Sequence, residues 1–278
     1  MHKNISFKPF VKDPHAQAII CKVLDFQKDT PSTTHYFELK DRDILTYEVS
    51  EPKNTKIRWT IITVHGLCGS HKSSYNRRLA SRFFQMGFRV IRINLKGCGS
   101  GRGLSKGIYH SGCSNHVIEL VSHLKNQYFE SHFIQIGFSL GANVTLKMIG
   151  EQGNDIKNLL CAAIAISPPC DLFASNRRFS RPENSFISKY FLRLLLDDVE
   201  YIHEIYSDLG EPEFPVEMNL YDFDEYYVAP RANFKGAMDY YACCSSMHVV
   251  ENIKIPTIIQ FAKDDPIIKH DSLDEKSY

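Results

Sequence analysis

The chain has 278 residues, 43% hydrophobic and 23% charged, with a formal net charge of +1. That length is enough for one large α/β domain with a substantial core. Near-balance of acids and bases argues against nucleic acid or any strongly charged partner.

The eight cysteines are scattered apart from Cys243-Cys244, and no Cys/His spacing suggests zinc. They read as reduced thiols in a cytoplasmic protein rather than as a secreted disulfide framework. The N-terminus, Met1-His2-Lys3-Asn4, lacks the apolar stretch of a signal peptide. The longest apolar run, 159–166, is far too short for a transmembrane segment. No repeats or low-complexity segments interrupt the chain, and no metal or organic cofactor is expected.

In chain order, residues 1–30 mix proline, lysine and aromatics and are expected to form an N-terminal arm. His15, in Pro14-His15-Ala16-Gln17, reads as structural rather than catalytic. The runs 34–39 and 44–49 flank the turn signal Asp41-Arg42-Asp43 and predict an antiparallel hairpin. The β-branched run 57–64 predicts a central strand. It ends in His65-Gly66-Leu67-Cys68-Gly69-Ser70, the kind of glycine-rich loop that carries ligand-binding backbone past a strand's carboxyl end. Leu67 is the candidate backbone N–H donor of that loop, and His65 reads as loop-shaping rather than as a base. A helix follows over 75–86, then a strand over 88–95. Gly97-Cys98-Gly99-Ser100-Gly101-Arg102-Gly103 comes next. It lacks the Gly-Lys-Ser/Thr ending of a phosphate-binding loop and does not match a dinucleotide fingerprint. A helix is predicted over 115–124.

The strand 132–136 leads into Gly137-Phe138-Ser139-Leu140-Gly141, with helical spacing over 142–149. Gly-x-Ser-x-Gly between strand and helix is the pattern of a nucleophile elbow. The turn forces its central residue into an unfavourable conformation, and side chains two before and two after would collide. It presents the Ser139 hydroxyl together with the Leu140 N–H at the positive end of the new helix.

The strand 159–166 ends at Ser167-Pro168-Pro169. From 171 to 231 the pattern changes: 186–196 and the region around 199–206 look helical, and aromatics and acids crowd 221–227. This is too long for an ordinary connection and predicts a helical cap whose aromatics either line a substrate site or form the cap's own core. A helix over 234–245 returns to the main domain. The strand 256–261 leads to Asp264-Asp265-Pro266. An acid at that place, after the nucleophile in sequence, is what a Ser…Asp…His order requires. Asp265 is the choice, Asp264 the reserve, and a plain Asp-Asp-Pro turn the simpler reading. The expected division is an arm over 1–30, an α/β core over 31–170 and 232–278, and a cap over 171–231. The core should be a mostly parallel sheet with helices on both faces and an antiparallel N-terminal edge.

Taken together these stretches resemble the YheT-like α/β-hydrolases, the AB hydrolase 4 family, over nearly the whole chain. Pro14-His15-Ala16-Gln17 is similar to its N-terminal signature. The 65–70 loop, Gly97-Cys98-Gly99-Ser100, Tyr109-His110-Ser111-Gly112, the elbow through Asn143, Asp239-Tyr240-Tyr241 with Cys244-Ser245-Ser246, and Ala262-Lys263-Asp264-Asp265-Pro266 resemble its further motifs. The resemblance implies an α/β-hydrolase fold and hydrolysis of small-molecule or lipid-like carboxylic esters. Ser139 would be the nucleophile, Asp265 the acid, and Leu67 and Leu140 the backbone oxyanion donors. It also places the catalytic histidine about thirty residues past the acid, after one more strand, whereas the sequence ends at Tyr278. The expectation is therefore a chain truncated at its C-terminus, lacking that strand, the final helix and the catalytic histidine, with the strand 257–261 left as an exposed apolar edge. His65, His110 and His270 are poor replacements. The alternative is an inactive fragment or pseudoenzyme that binds acyl ligands or a partner.

Overall fold

The computed structural model describes residues 11–17, 28–53, 57–271 and 273. Of the expected N-terminal arm, residues 1–10 and 18–27 lie outside the described residues. The fold is an α/β-hydrolase fold: a mixed, mostly parallel sheet with helices on both faces and an inserted helical region.

The strands are β1 (Thr33–Glu38), β2 (Ile44–Ser50), β3 (Trp59–Val64), β4 (Arg89–Asn94), β5 (His132–Phe138), β6 (Ala162–Ile166) and β7 (Thr257–Gln260). Among the described residues they form one seven-stranded sheet in the order β1-β2-β4-β3-β5-β6-β7. The β1–β2 hairpin is antiparallel, as its turn predicts, and β2 runs antiparallel to β4. Every later pairing is parallel. Strands in the middle are covered on both faces, so they read as continuous β-branched runs rather than alternating ones. All six residues of β4 are buried. At the β7 edge Ile258 is 62% exposed.

Helices α1 (Ser74–Gln85), α2 (Ser114–Gln127) and α3 (Leu140–Gln152) fall where the apolar spacing predicts, within a few residues. Helix α3 follows β5 directly and packs on β5, β6 and α2. Its Val144, Leu146, Met148 and Ile149 are buried in the main core.

The insertion departs from the sequence reading in three places. Helix α4 (Leu172–Phe179) was not expected. Asp171 caps it, its side chain accepting from the Ala174 N–H at 2.9 Å. The two helical stretches expected around 186–206 are one helix, α5 (Ser185–Ile205). The acids at 197–200 do not interrupt it, because Leu195, Val199 and Ile202 keep one buried face in phase. The aromatic stretch near 221–227 is helical: Leu220–Phe223, a π-helical turn Asp224–Val228, then Ala229–Arg231. Helix α6 (Ala237–Cys244) starts later than predicted, after Gly236. Its Tyr240, Tyr241 and Cys244 pack with Leu195, Val199, Phe223 and Tyr227 of the insertion. Apolar packing thus crosses the division expected at 231/232.

Candidate active site

Ser139 joins β5 to α3 with φ 50° and ψ −119°, a region that L-residues occupy only under strain. The turn is held from both sides. The Ser139 N–H donates to the Ile166 carbonyl at 2.9 Å, and its own carbonyl accepts from Ala142 at 2.9 Å and Asn143 at 3.1 Å. The flanking glycines are required, though for partly different reasons than mutual collision. A Cβ at Gly137 would strike the Gly141 carbonyl oxygen and lie 2.6 Å from Ala142 Cα. One at Gly141 would strike the carbonyl oxygens of Val64 and His65, at the end of the neighbouring strand.

The 65–70 loop lies against this elbow. A Cβ at Gly66 would sit 3.1 Å from Ser139 Cβ and 3.7 Å from its Oγ. His65 is fully buried. Its Nδ1 donates to the Gly66 carbonyl at 2.8 Å and its Nε2 accepts from the Leu95 N–H at 3.1 Å. Burial holds the imidazole neutral, pushing its pKa down to about 4. Both nitrogens are occupied, so His65 shapes the loop, as its sequence position suggests. The Gly66 N–H donates to the Tyr75 hydroxyl at 3.0 Å and the Cys68 N–H to the Tyr109 hydroxyl at 2.8 Å. Among the described residues the N–H groups of Leu67, between them, and of Leu140 have no hydrogen-bond partner.

Asp265 sits past β7, and its Oδ1 accepts from the N–H groups of Ile267 at 2.9 Å and Ile268 at 2.8 Å. Arg178 of α4 holds this loop by donating to the carbonyls of Asp265 and Ile268. Asn184, almost fully buried, donates to the Pro266 carbonyl at 3.0 Å and accepts from His15 Nε2 at 2.8 Å. His15 thereby braces the acid loop, in keeping with a structural reading. Asp264 is exposed and reaches Gln17 at 3.4 Å.

Ser139, Asp265, Leu67 and Leu140 all line one cavity of about 340 Å³. Its walls are largely apolar, from Leu172 and Phe179 of α4, Phe191 and Leu195 of α5, and Phe223. A larger, more open cleft of about 750 Å³ lined by Asp41, Lys96 and His116 contains neither Ser139 nor Asp265. His110 lines both cavities. Its Nδ1 accepts from the Gly112 N–H at 3.1 Å, so the neutral ring carries its proton on Nε2. Its edges meet Phe234 and Tyr240, and burial pushes its pKa down to about 4. Asp224 lines the Ser139 cavity. It accepts from the Tyr241 hydroxyl at 2.6 Å, and burial pushes its pKa up to about 7. The glycine-rich loop at 97–103 is tied into a polar network instead, Ser100 bonding with Thr46 and Asn94.

Sequence reasoning missed the tyrosines that hold the 65–70 loop, and Arg178 and Asn184 at the acid loop. Asn143 is legible in the sequence only as the end of the elbow motif; it is fully buried and donates to the Ser111 and Cys244 carbonyls while accepting from the Ser246 N–H. Among the described residues no group of His, Cys, Asp and Glu could hold a metal ion, no helix is long and apolar enough to cross a membrane, and the seven cysteines form no disulfide.

A family model described as "Serine aminopeptidase, S33" matches residues 55–276. The chain is 26% identical over 262 residues to YheT of Escherichia coli, a match covering 92% of this chain and 76% of that protein. It is 27% identical over 236 residues to "Medium-chain fatty acid ethyl ester synthase/esterase 2" of Saccharomyces cerevisiae, covering 76% of this chain. It spans about half, 52%, of the yeast protein's length. Among solved structures, an esterase from Pyrococcus furiosus superposes with a TM-score of 0.56 at 18% identity, over 90% of this chain and 76% of the other. That likeness bears on the fold alone.

Proposed function

Because this chain belongs to the family described as "Serine aminopeptidase, S33", we propose that it is of serine-hydrolase type, acting on carboxylic esters through Ser139 and Asp265. The observation that carries the reading is a serine in a strained strand–helix turn lining the same apolar cavity as Asp265. The strain is the cost of lifting a hydroxyl clear of the sheet.

In this reading Ser139 Oγ attacks the ester carbonyl and a histidine takes its proton. The Leu67 and Leu140 N–H groups, otherwise without partners, receive the oxyanion, each worth about 3 kcal/mol in the transition state. The same histidine returns the proton to the leaving alcohol, and water then releases the acyl group. Asp265 orients that histidine. Its Oδ1 is engaged by backbone and its Oδ2 has no hydrogen bond among the described residues. The apolar walls suit an acyl chain, in keeping with a small-molecule or lipid-like ester. The yeast relative, itself named as an ester synthase and esterase, lends support. The scattered cysteines, read as reduced thiols, are in keeping with a cytoplasmic location.

Neither His110 nor His65 fits the base of this reading. His110, which lines the cavity, presents an N–H rather than a lone pair, and His65 has both nitrogens engaged. The same observation favours a second reading, a chain that holds acyl ligands without turning them over. A fluorophosphonate probe and a short p-nitrophenyl ester separate the two. The chain alone should label weakly. Extended by a family-like C-terminal segment with its histidine, it should label and hydrolyse, and Ser139→Ala should abolish both. Strong Ser139-dependent turnover by the unextended chain would show that the base has been misassigned. An extended chain that binds acyl ligands without labelling would favour the second reading.

A further inference from the structure

The inserted helical region is electrically divided. Between 172 and 193 it carries Arg177, Arg178, Arg181, Lys189 and Arg193 against Glu183 alone. Between 194 and 226 it carries eleven acids and no lysine or arginine. Helix α5 spans the divide. Its first half bears Lys189 and Arg193, and its second half Asp197, Asp198, Glu200 and Glu204. Along this 21-residue helix the outermost of these charges, Lys189 and Glu204, stand about 22 Å apart.

The basic end is also apolar on its outer face. Phe186 is 72% exposed and Phe173 41%. Phe186, Lys189 and Arg193 follow helical spacing along one exposed stripe of α5, and Phe173 and Arg177 stand one turn apart on the exposed face of α4. The guanidinium of Arg177 lies 5.8 Å from the Phe173 ring centroid. Arg181 meets Glu183 only at 3.8 Å. Among the described residues Arg177, Lys189 and Arg193 make no salt bridge. The inward faces of the same helices supply Leu172, Phe179, Phe191 and Leu195 to the Ser139 cavity, so one helix thickness separates the outer patch from the cavity.

Exposed aromatic rings interleaved with unpaired cations fit a surface that is anionic outside and apolar just beneath. We propose that the α4–α5 end of the insertion docks on an anionic lipid surface. Phe173 and Phe186 enter the headgroup layer. Arg177, Arg181, Lys189 and Arg193 meet lipid phosphates, and the acid-rich remainder of the insertion is held away by repulsion. The charge division gives the chain one favoured orientation, with the Ser139 cavity behind the contact.

Flotation of the full chain with phosphatidylcholine vesicles, with and without phosphatidylglycerol, tests this, and no catalytic step enters the readout. It therefore stands or falls apart from the ester-hydrolase reading. The chain should float with the mixed vesicles and not with the neutral ones. Binding should be lost as the screening length contracts from about 10 Å at 0.1 M salt to about 3 Å at 1 M. Lys189→Glu/Arg193→Glu should weaken binding roughly tenfold or more, with Lys189→Ser/Arg193→Ser as the milder pair should the reversal impair folding. Phe186→Ser should weaken it with an unchanged melting temperature, since the ring is exposed. Glu200→Gln/Glu204→Gln should bind no worse than the parent. Equal binding to both vesicle types, binding to neither, or binding indifferent to the Lys189/Arg193 and Phe186 variants would overturn the proposal. An acidic protein as the true occupant would give the second of these results.

Discussion

The Leu95 N–H, just past the end of β4, donates to His65 Nε2 at 3.1 Å. This one contact ties the carboxyl end of β3 to that of β4. It also leaves His65 Nδ1–H to fix the Gly66 carbonyl at 2.8 Å, so the peptide leading to Leu67 is held. His65→Ala should strand a buried N–H and open a cavity, lowering stability by about 2–4 kcal/mol. It should also weaken any Ser139-dependent labelling by loosening the Leu67 N–H. Urea denaturation of the two chains side by side checks the first effect; an unchanged midpoint would contradict it.

Acid should destabilise the protein above the range in which ordinary carboxylates titrate. Burial pushes His65, His110 and His116 down to about 4 from an ordinary 6.5. Their stability contribution is complete above pH 6.5 and is lost as pH falls toward 4, because the unfolded chain takes up protons that the folded chain refuses. Each contributes a slope of about 1.4 kcal/mol per pH unit in that window. Asp224 works the other way. Raised to about 7 from 3.8, it holds in the folded state a proton that the unfolded chain releases, which offsets one of the three. Denaturation midpoints measured through the window should fall steeply. Asp224→Asn should stabilise the protein near neutrality and steepen the fall. A flat profile would show that these imidazoles are not held neutral.

Ser139→Gly should abolish probe labelling and raise stability. The residue occupies φ 50°, a conformation costing a side-chain-bearing residue about 1–3 kcal/mol. Glycine adopts it freely but loses about 0.5–1 kcal/mol more on ordering. The net gain is about 1 kcal/mol, or roughly 2–4 °C in melting temperature for a chain of this size. Calorimetry of the parent, Ser139→Ala and Ser139→Gly should order them with glycine highest. A glycine variant that melts below the parent would mean that the strain is absent.

The sequence by itself determined the alternation of strand and helix in the sheet domain, the strand–turn–helix setting of Ser139, and the place of Asp265 after the last described strand. These signals are local. Apolar spacing distinguishes a helix from a strand, and glycines mark turns whose tightness forbids a Cβ. The tertiary structure decided what depends on residues distant in the chain. Gly141 is required because the Val64 and His65 carbonyls approach it, which follows from β3 pairing beside β5. The N–H groups on either side of Leu67 are held by the Tyr75 and Tyr109 hydroxyls, while its own has no hydrogen-bond partner among the described residues. The Asp265 loop is shaped by Arg178, and by Asn184 braced in turn by His15, 169 residues away. The charged stretch at 197–200 stays helical because its buried face meets Phe223 and Tyr227. A side chain bonded to a remote backbone group leaves no periodic trace in the sequence, so only the folded chain identifies these partners.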